Sequence, residues 1–137
     1  METIQVLQSL YKVLFPEEIA LHFEIKEVTE HKDRISIRFE ELPELLPKEL
    51  GATDEVILDG FCNPIEVQSF PLKGKPVYLN IYRRRWKRKG KTQHYSNTYV
   101  IHPDGVKATK EFAAFLKETF GHTPDQYNDN IRGIMRR

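Results

Sequence analysis

Seven of the nine residues from Arg83 to Lys91 are cationic: Arg83, Arg84, Arg85, Lys87, Arg88, Lys89 and Lys91, interrupted only by Trp86 and Gly90 and preceded by Tyr82. Crowding that much positive charge costs mutual repulsion, which a polyphosphate relieves while its condensed counterions return to solution. Guanidinium groups match phosphate oxygens and guanine edges, and Tyr82 and Trp86 offer flat faces for stacking. The run contains no acid, whereas a surface built only for solubility mixes both signs. It therefore points to a DNA-contacting arm, with Lys107 and Lys110, and also Lys73 and Lys75, extending the phosphate footprint. Strand alternation divides the arm between two faces, so only some of its cations can touch one duplex, and Trp86 is read as core. The competing reading is a solvated hairpin whose charges do nothing specific.

No other group of residues nominates catalysis. His22, His31, His94, His102 and His122 stand singly, without the i, i+4 histidine spacing that makes a metal face on a helix. Cys62 is the one cysteine, so neither an internal disulfide nor a Cys-x-x-Cys zinc site is expected. Glu17-Glu18 suits a helix N-terminus and Glu40-Glu41-Glu44 a polar connector, and neither sketches the convergent carboxylates of a two-metal site. Lys73-Gly74-Lys75 lacks the glycine spacing of a phosphate-cradling loop. The expectation is a binding protein, not an enzyme, with no cofactor and no metal.

These residues need elements to carry them. A chain of 137 residues, 39% hydrophobic, suits a single domain with a modest core. No apolar run is long enough to span a bilayer and the acidic N-terminus lacks a secretory pattern, so a soluble, cytoplasmic protein is expected, associated with the nucleoid when DNA-bound. The formal charge of +1 conceals a division. Residues 1–60 carry six Lys/Arg against fourteen Asp/Glu, a net of −8, and residues 61–137 carry fifteen against six, a net of +9. Such asymmetry implies a basic surface for polyanions and an acidic one for solvent or protein contacts.

Ile4, Leu7, Tyr11 and Leu14 recur at helical spacing, predicting a helix over Thr3 to Leu14 with Thr3 as N-cap; Pro16 ends it and opens a short second helix to about Phe23. Glu24 to Thr29 and Arg34 to Glu40 read as a hairpin around His31-Lys32-Asp33, and Leu42 to Gly51 as a connector. Glu55 to Gly60, Ile65 to Phe70 and Pro76 to Trp86 suggest an antiparallel meander, with Thr92 to Ile101 returning as a partner strand after Gly90. Thr109 to Phe120 is the clearest helix, with Phe112, Phe115, Leu116 and Phe120 on one stripe and Gly121 at its end. The fold class expected is α+β: an antiparallel sheet, hairpin plus meander, flanked by N-terminal and C-terminal helices. Residues 1–122 form one DNA-binding domain, and residues 123–137 a basic tail or a short helix. A helix-turn-helix over 109–135, reading bases through Gln126, Asn128, Asn130 and Arg132, fits the spacing less well, because Asp125 and Asp129 would face the phosphates.

The order Leu21-His22-Phe23, Gly60-Phe61, Phe70-Pro71, Gly74-Lys75-Pro76-Val77-Tyr78-Leu79, Arg83-Arg84-Arg85-Trp86 and Thr109-Lys110-Glu111-Phe112-Ala113-Ala114-Phe115-Leu116-Lys117-Glu118 resembles the N-terminal-region protein of ISAon-type insertion-sequence transposases, over about Phe15 to Phe120. The resemblance implies a non-catalytic region that binds the duplex DNA of transposon ends, encoded beside or ahead of a DDE-type catalytic portion. Related transposases place zinc-ribbon cysteines soon after an Arg-Arg-aromatic segment; Lys87 to His94 contains none, so the metal would be lost here. The alternative reading is a regulatory module that docks a separately encoded DDE transposase through its acidic half.

Overall fold

A computed structural model describes residues 2–103 and 105–119. Two helices, α1 (Glu2–Leu14) and α2 (Glu17–His22), lead into strand β1 (Phe23–Glu30). Pro16 sits at the N-cap of α2, where its missing N–H costs nothing, and Glu17 and Glu18 occupy the positive end of the helix. The strands that follow are β2 (Ile35–Glu41), β3 (Val56–Phe61), β4 (Ile65–Leu72), β5 (Lys75–Tyr82), β6 (Arg84–Arg88) and β7 (His94–Tyr95), before helix α3 (Lys110–Thr119). The protein is α+β, with mostly antiparallel sheets flanked by an N-terminal and a C-terminal helix.

The strands form two sheets, in the orders β1-β2-β5-β4 and β3-β6-β7. The single antiparallel meander expected from the sequence is therefore a correction. β4 and β5 do pair antiparallel across Lys73-Gly74, both at positive φ as a tight two-residue hairpin turn requires. β3, however, belongs to the second sheet, and β5 lies parallel to β2, with Ile35, Ile37 and Phe39 opposite Val77, Leu79 and Ile81. The register explains the choice. Parallel pairing of β2 with β5 brings three buried apolar residues from each strand onto one face, and β4 adds Val67 beside Leu79. Burying these side chains stabilises the sheet by roughly 1.5–3 kcal/mol apiece. Ile19, Phe23 and Ile101 close the same core, with Tyr11, Phe15 and Tyr99 packed against its margin.

At Arg83 the chain passes from the first sheet into the second without a turn. The Cys62 N–H donates to the Arg83 carbonyl at 2.9 Å, and Phe61 then pairs with Arg84. At the end of β2, the side chain of Glu41 is fully buried. Its Oε1 accepts the Arg84 backbone N–H at 2.8 Å, and its Oε2 accepts the Asn97 amide at 2.9 Å and the Tyr99 hydroxyl. Its carbonyl takes Arg84 Nε at 2.7 Å. These bonds explain a second correction: the expected return strand Thr92 to Ile101 pairs with β6 only at His94 and Tyr95. From Asn97 onward the segment leaves the ladder to seal the buried carboxyl and to carry Ile101 into the core.

The C-terminal helix is anchored at the outer edge of β4. Gln68 and Ala108 form a parallel bridge, and the Thr109 hydroxyl accepts the Phe112 N–H at 3.2 Å as an N-cap. Phe112 and Leu116 are buried, and Phe70 meets Phe112 and Phe115 edge-on. Phe120, Gly121 and the tail or short helix read from the sequence over residues 123–137 lie outside the described residues. Glu41→Ala is expected to lower stability by about 3 kcal/mol in urea denaturation, because several buried donors lose their acceptor at roughly 1–3 kcal/mol each. Glu41→Gln, which keeps one carbonyl oxygen, should lose about half as much. Equal and negligible losses would show that the carboxyl is not a structural centre.

Candidate nucleic-acid interface

The basic run occupies the central strand of the three-stranded sheet. β3 lies on one side, with Val56, Ile57, Leu58 and Phe61 opposite Arg88, Lys87, Trp86 and Arg84; β7 lies on the other, with Tyr95 and His94 opposite Trp86 and Lys87. Alternation then sorts the cations. Arg84 and Trp86 turn inward and are buried, while Arg85, Lys87 and the exposed Lys89 fall on the opposite side. Trp86 is thus a core residue, as read, and its indole N–H is buried without a hydrogen-bond partner.

Arg84 does not belong with the others. Sequence reading placed it among the DNA-contacting residues, yet its guanidinium is buried, bonded to the Glu41 carbonyl and 5.3 Å from the centre of the Phe61 ring. Spending this side chain on phosphate would leave the Glu41 carbonyl unpaired. Arg83 is half-buried, donating to the Asn97 carbonyl at 3.1 Å, with its Nε buried and unpartnered. Arg88 reaches the Tyr95 hydroxyl at 2.7 Å, the Glu49 carbonyl at 3.0 Å and the Asp54 carboxylate at 3.2 Å.

The outer face remains: Arg85, Lys87 and Lys89, with Lys91 in the turn beyond. Gly90 takes φ of +78° there, and the Lys91 N–H closes onto the Arg88 carbonyl at 3.0 Å. Lys87 and Lys91 make no ion pair among the described residues. Arg85 and Lys89 do, and their partners come from β3 and the residue before it. Lys89 lies 3.6 Å from Glu55, with both side chains at least 70% exposed. Arg85 Nε donates to the Asp59 carbonyl at 2.9 Å, and its guanidinium lies 3.8 Å from the Asp59 carboxylate. A bulge makes this possible, since Asp59 and Gly60 together stand opposite Arg85, with Gly60 at φ +76°. His94 Nε2 contacts the same carboxylate at 2.5 Å. That hydrogen bond, assisted by Lys87 and Arg85, holds the Asp59 carboxyl below the usual aspartate range. Asp54 is lowered likewise, first by the Gly51 backbone N–H and then by Arg88.

Basic charge is therefore concentrated on the outer face but partly neutralised within the fold. Exposed ion pairs of this kind are worth about 0–1 kcal/mol, so a phosphate can displace the carboxylates at little cost. The neutralising acids, Asp54, Glu55 and Asp59, were missed by sequence reasoning. Their only signal was an acidic strand-like segment, and nothing local sets its register against β6.

The other sequence-nominated cations lie elsewhere. Lys107 and Lys110 are exposed at the β4 edge, where Gln68 N–H donates to the Lys107 carbonyl at 3.1 Å, so they belong to the other sheet. Lys73 and Lys75 both pair with Glu30, at 3.0 and 3.1 Å, and hold its carboxyl below the ordinary glutamate value. Among the described residues no group of three or more His, Cys, Asp or Glu can hold a metal ion, and no helix is long and apolar enough to cross a membrane. No protein-family model, curated protein or solved structure matches the chain.

The shifted carboxyls give a pH dependence with a definite sign. A group whose folded pKa is depressed stabilises the fold above its unfolded value and loses that contribution as pH falls through the folded value. Glu30, Asp54 and Asp59 are of this type, so stability should be flat through neutrality and decline below about pH 4. Asp59→Asn should make the acid limb of a denaturation profile shallower while leaving the neutral plateau in place. An unchanged acid limb would show that the Asp59 contacts contribute nothing in solution.

Proposed function

We propose that this protein is a non-catalytic DNA-binding module of the insertion-sequence transposase type, which grips the duplex at transposon ends while a separately encoded DDE chain supplies the chemistry. The observation that carries the DNA-binding part is the outer face of the three-stranded sheet: it presents Arg85, Lys87 and Lys89 with Lys91 in the turn beyond, Lys87 and Lys91 without an ion-pair partner among the described residues, Lys89 beside the exposed Glu55, and Arg85 against the carbonyl and the part-exposed carboxylate of Asp59. The transposase assignment rests on the ordered sequence resemblance, above all Gly74 to Leu79 and Arg83 to Trp86.

Phosphate contacts position a protein without reading sequence, so this face supplies affinity and orientation. Binding proceeds by exchange, in which phosphate oxygens replace Glu55 at Lys89 and Asp59 at Arg85. Arg84 acts behind the face, fixing β6 to Glu41 of the first sheet, with Trp86 buried on the same side.

If the four outer cations each neutralise one phosphate, log affinity should fall against log salt with a slope of about −3.6, and replacing Lys87, Lys89 and Lys91 with alanine should bring it to about −0.9. Glu55→Gln should move the other way and tighten binding at every salt concentration, because Lys89 loses its internal competitor. Fluorescence anisotropy with a labelled duplex of the element's terminal sequence measures both, with a shuffled duplex reporting selectivity. A triple variant that binds as tightly as the parent at all salt concentrations would sink the DNA-binding claim. Equal affinity for terminal and shuffled duplexes would leave a general DNA binder and remove the transposon-end assignment.

A further inference from the structure

Helix α1 buries none of its residues, although Ile4, Val6, Leu7, Leu10, Val13 and Leu14 are all large and apolar. The helix is held to the fold from one side. Tyr11 and Phe15 pack with Phe39, and the Tyr11 hydroxyl donates to the Phe23 carbonyl at 2.7 Å. Burial there pushes the Tyr11 phenol up to about 12, so it remains a donor at any physiological pH. The far side is left in water, with Leu10 49% and Val13 82% exposed.

The stripe next to the attached side specifies its occupant, since Leu7 and Leu14 border the clefts beside Tyr11 and Phe15 and still stay 57% and 45% exposed. Thr3, Leu7, Leu10 and Leu14 are separated by four, three and four residues, the spacing of a seam between two packed helices, with Val6 and Val13 alongside. The seam is also self-complementary. When a second α1 is laid antiparallel about a two-fold axis, Leu7 meets Leu10 of the other copy and Thr3 meets Leu14. The only charged residues of the helix, Glu2 and Lys12, lie off this stripe, so no charge is buried and no like charges are opposed. A membrane surface is a poorer fit, since interfacial helices carry a cation-rich polar face and this one offers a single lysine. Val6, Leu7, Leu10, Val13 and Leu14 together expose on the order of 500 Å², at the upper end of what one patch on a monomer shows, and two such faces bring about 1,000 Å² together, near the minimum for a specific interface.

We infer that the protein self-associates through α1, as a two-fold antiparallel pair of helices seated on the Thr3-Leu7-Leu10-Leu14 seam. Such an interface is isologous and closed, so it yields a dimer and no larger array.

Light scattering and sedimentation of the full chain over a wide concentration range should show a monomer–dimer equilibrium. Leu10→Lys should shift it to monomer by at least tenfold in Kd with unchanged far-ultraviolet dichroism. Val13→Lys, at a site already 82% exposed, provides a variant that cannot fail through loss of the core and should also weaken the dimer. Orientation is read by oxidising a mixture of Leu7→Cys and Leu10→Cys chains in a Cys62→Ser background, where the mixed cross-link should exceed either self-cross-link. A chain that stays monomeric at hundreds of micromolar overturns the inference, as does a dimer indifferent to both lysine substitutions. Predominant self-cross-linking of each cysteine variant overturns the antiparallel arrangement.

Discussion

Glu41 is a carboxyl with no access to water, placed where three distant segments must meet. Burying such a group unpaired costs several kcal/mol, so the fold can keep it only by delivering donors to it. Arg84 comes from β6 and Asn97 and Tyr99 from the segment after β7, and Asn97 also donates to the Leu45 carbonyl at 2.7 Å. Burial first, and then the bond to Glu41, raises the Tyr99 phenol well above its ordinary value, so it stays a donor. The two sheets, the connector after β2 and the return segment are thereby tied through one side chain.

That tie changes the meaning of the charge division along the chain. A net of −8 in the first 60 residues and +9 in the rest suggests two separate surfaces. In the fold, however, Glu30 meets Lys73 and Lys75, Asp54 meets Arg88, Glu55 meets Lys89 and Asp59 meets Arg85. Much of the apparent dipole is cancelled across strand pairs. What survives is a smaller basic face with its own exchangeable counter-charges, better suited to reversible contact with a polyanion than to a permanent clamp.

The elements themselves were legible because they rest on local periodicity. The β1–β2 hairpin, the α3 helix and the buried position of Trp86 follow from alternation, capping and residue type. Sheet membership was not legible, since β3 is as good a partner by composition for β4 as for β6, and the parallel pairing of β2 with β5 crosses residues 42–74. The candidate site was legible as a charge density but not as a set of contacts. Arg83, Arg84 and Arg85 look alike in sequence, and only the register against β3 and the position of Glu41 decide which is scaffold and which faces solvent. A second, part-exposed arginine interaction was equally hidden: Arg38 lies 3.8 Å from the Tyr82 ring centre and donates to Glu40 at 2.9 Å, occupying that aromatic face.

The passage of one continuous strand from the first sheet into the second sets an order of assembly. The hairpins β1–β2 and β4–β5 close short loops and can form early, whereas β2–β5 and β3–β6 join residues far apart in the chain and must wait for loop-closure entropy to be met. Because β6 is positioned by β5 and by Glu41 at the end of β2, the second sheet has no template until the parallel pair exists. Our hypothesis is that the basic face is the last part of the molecule to acquire structure. Pulsed hydrogen exchange during refolding would contradict this if the β3 and β6 amides gained protection before those of β2 and β5. Until then the arm is an unshielded cationic segment on a partly folded chain, exposed to any polyanion nearby, and Asp54, Glu55 and Asp59 cover it only when β3 pairs with β6.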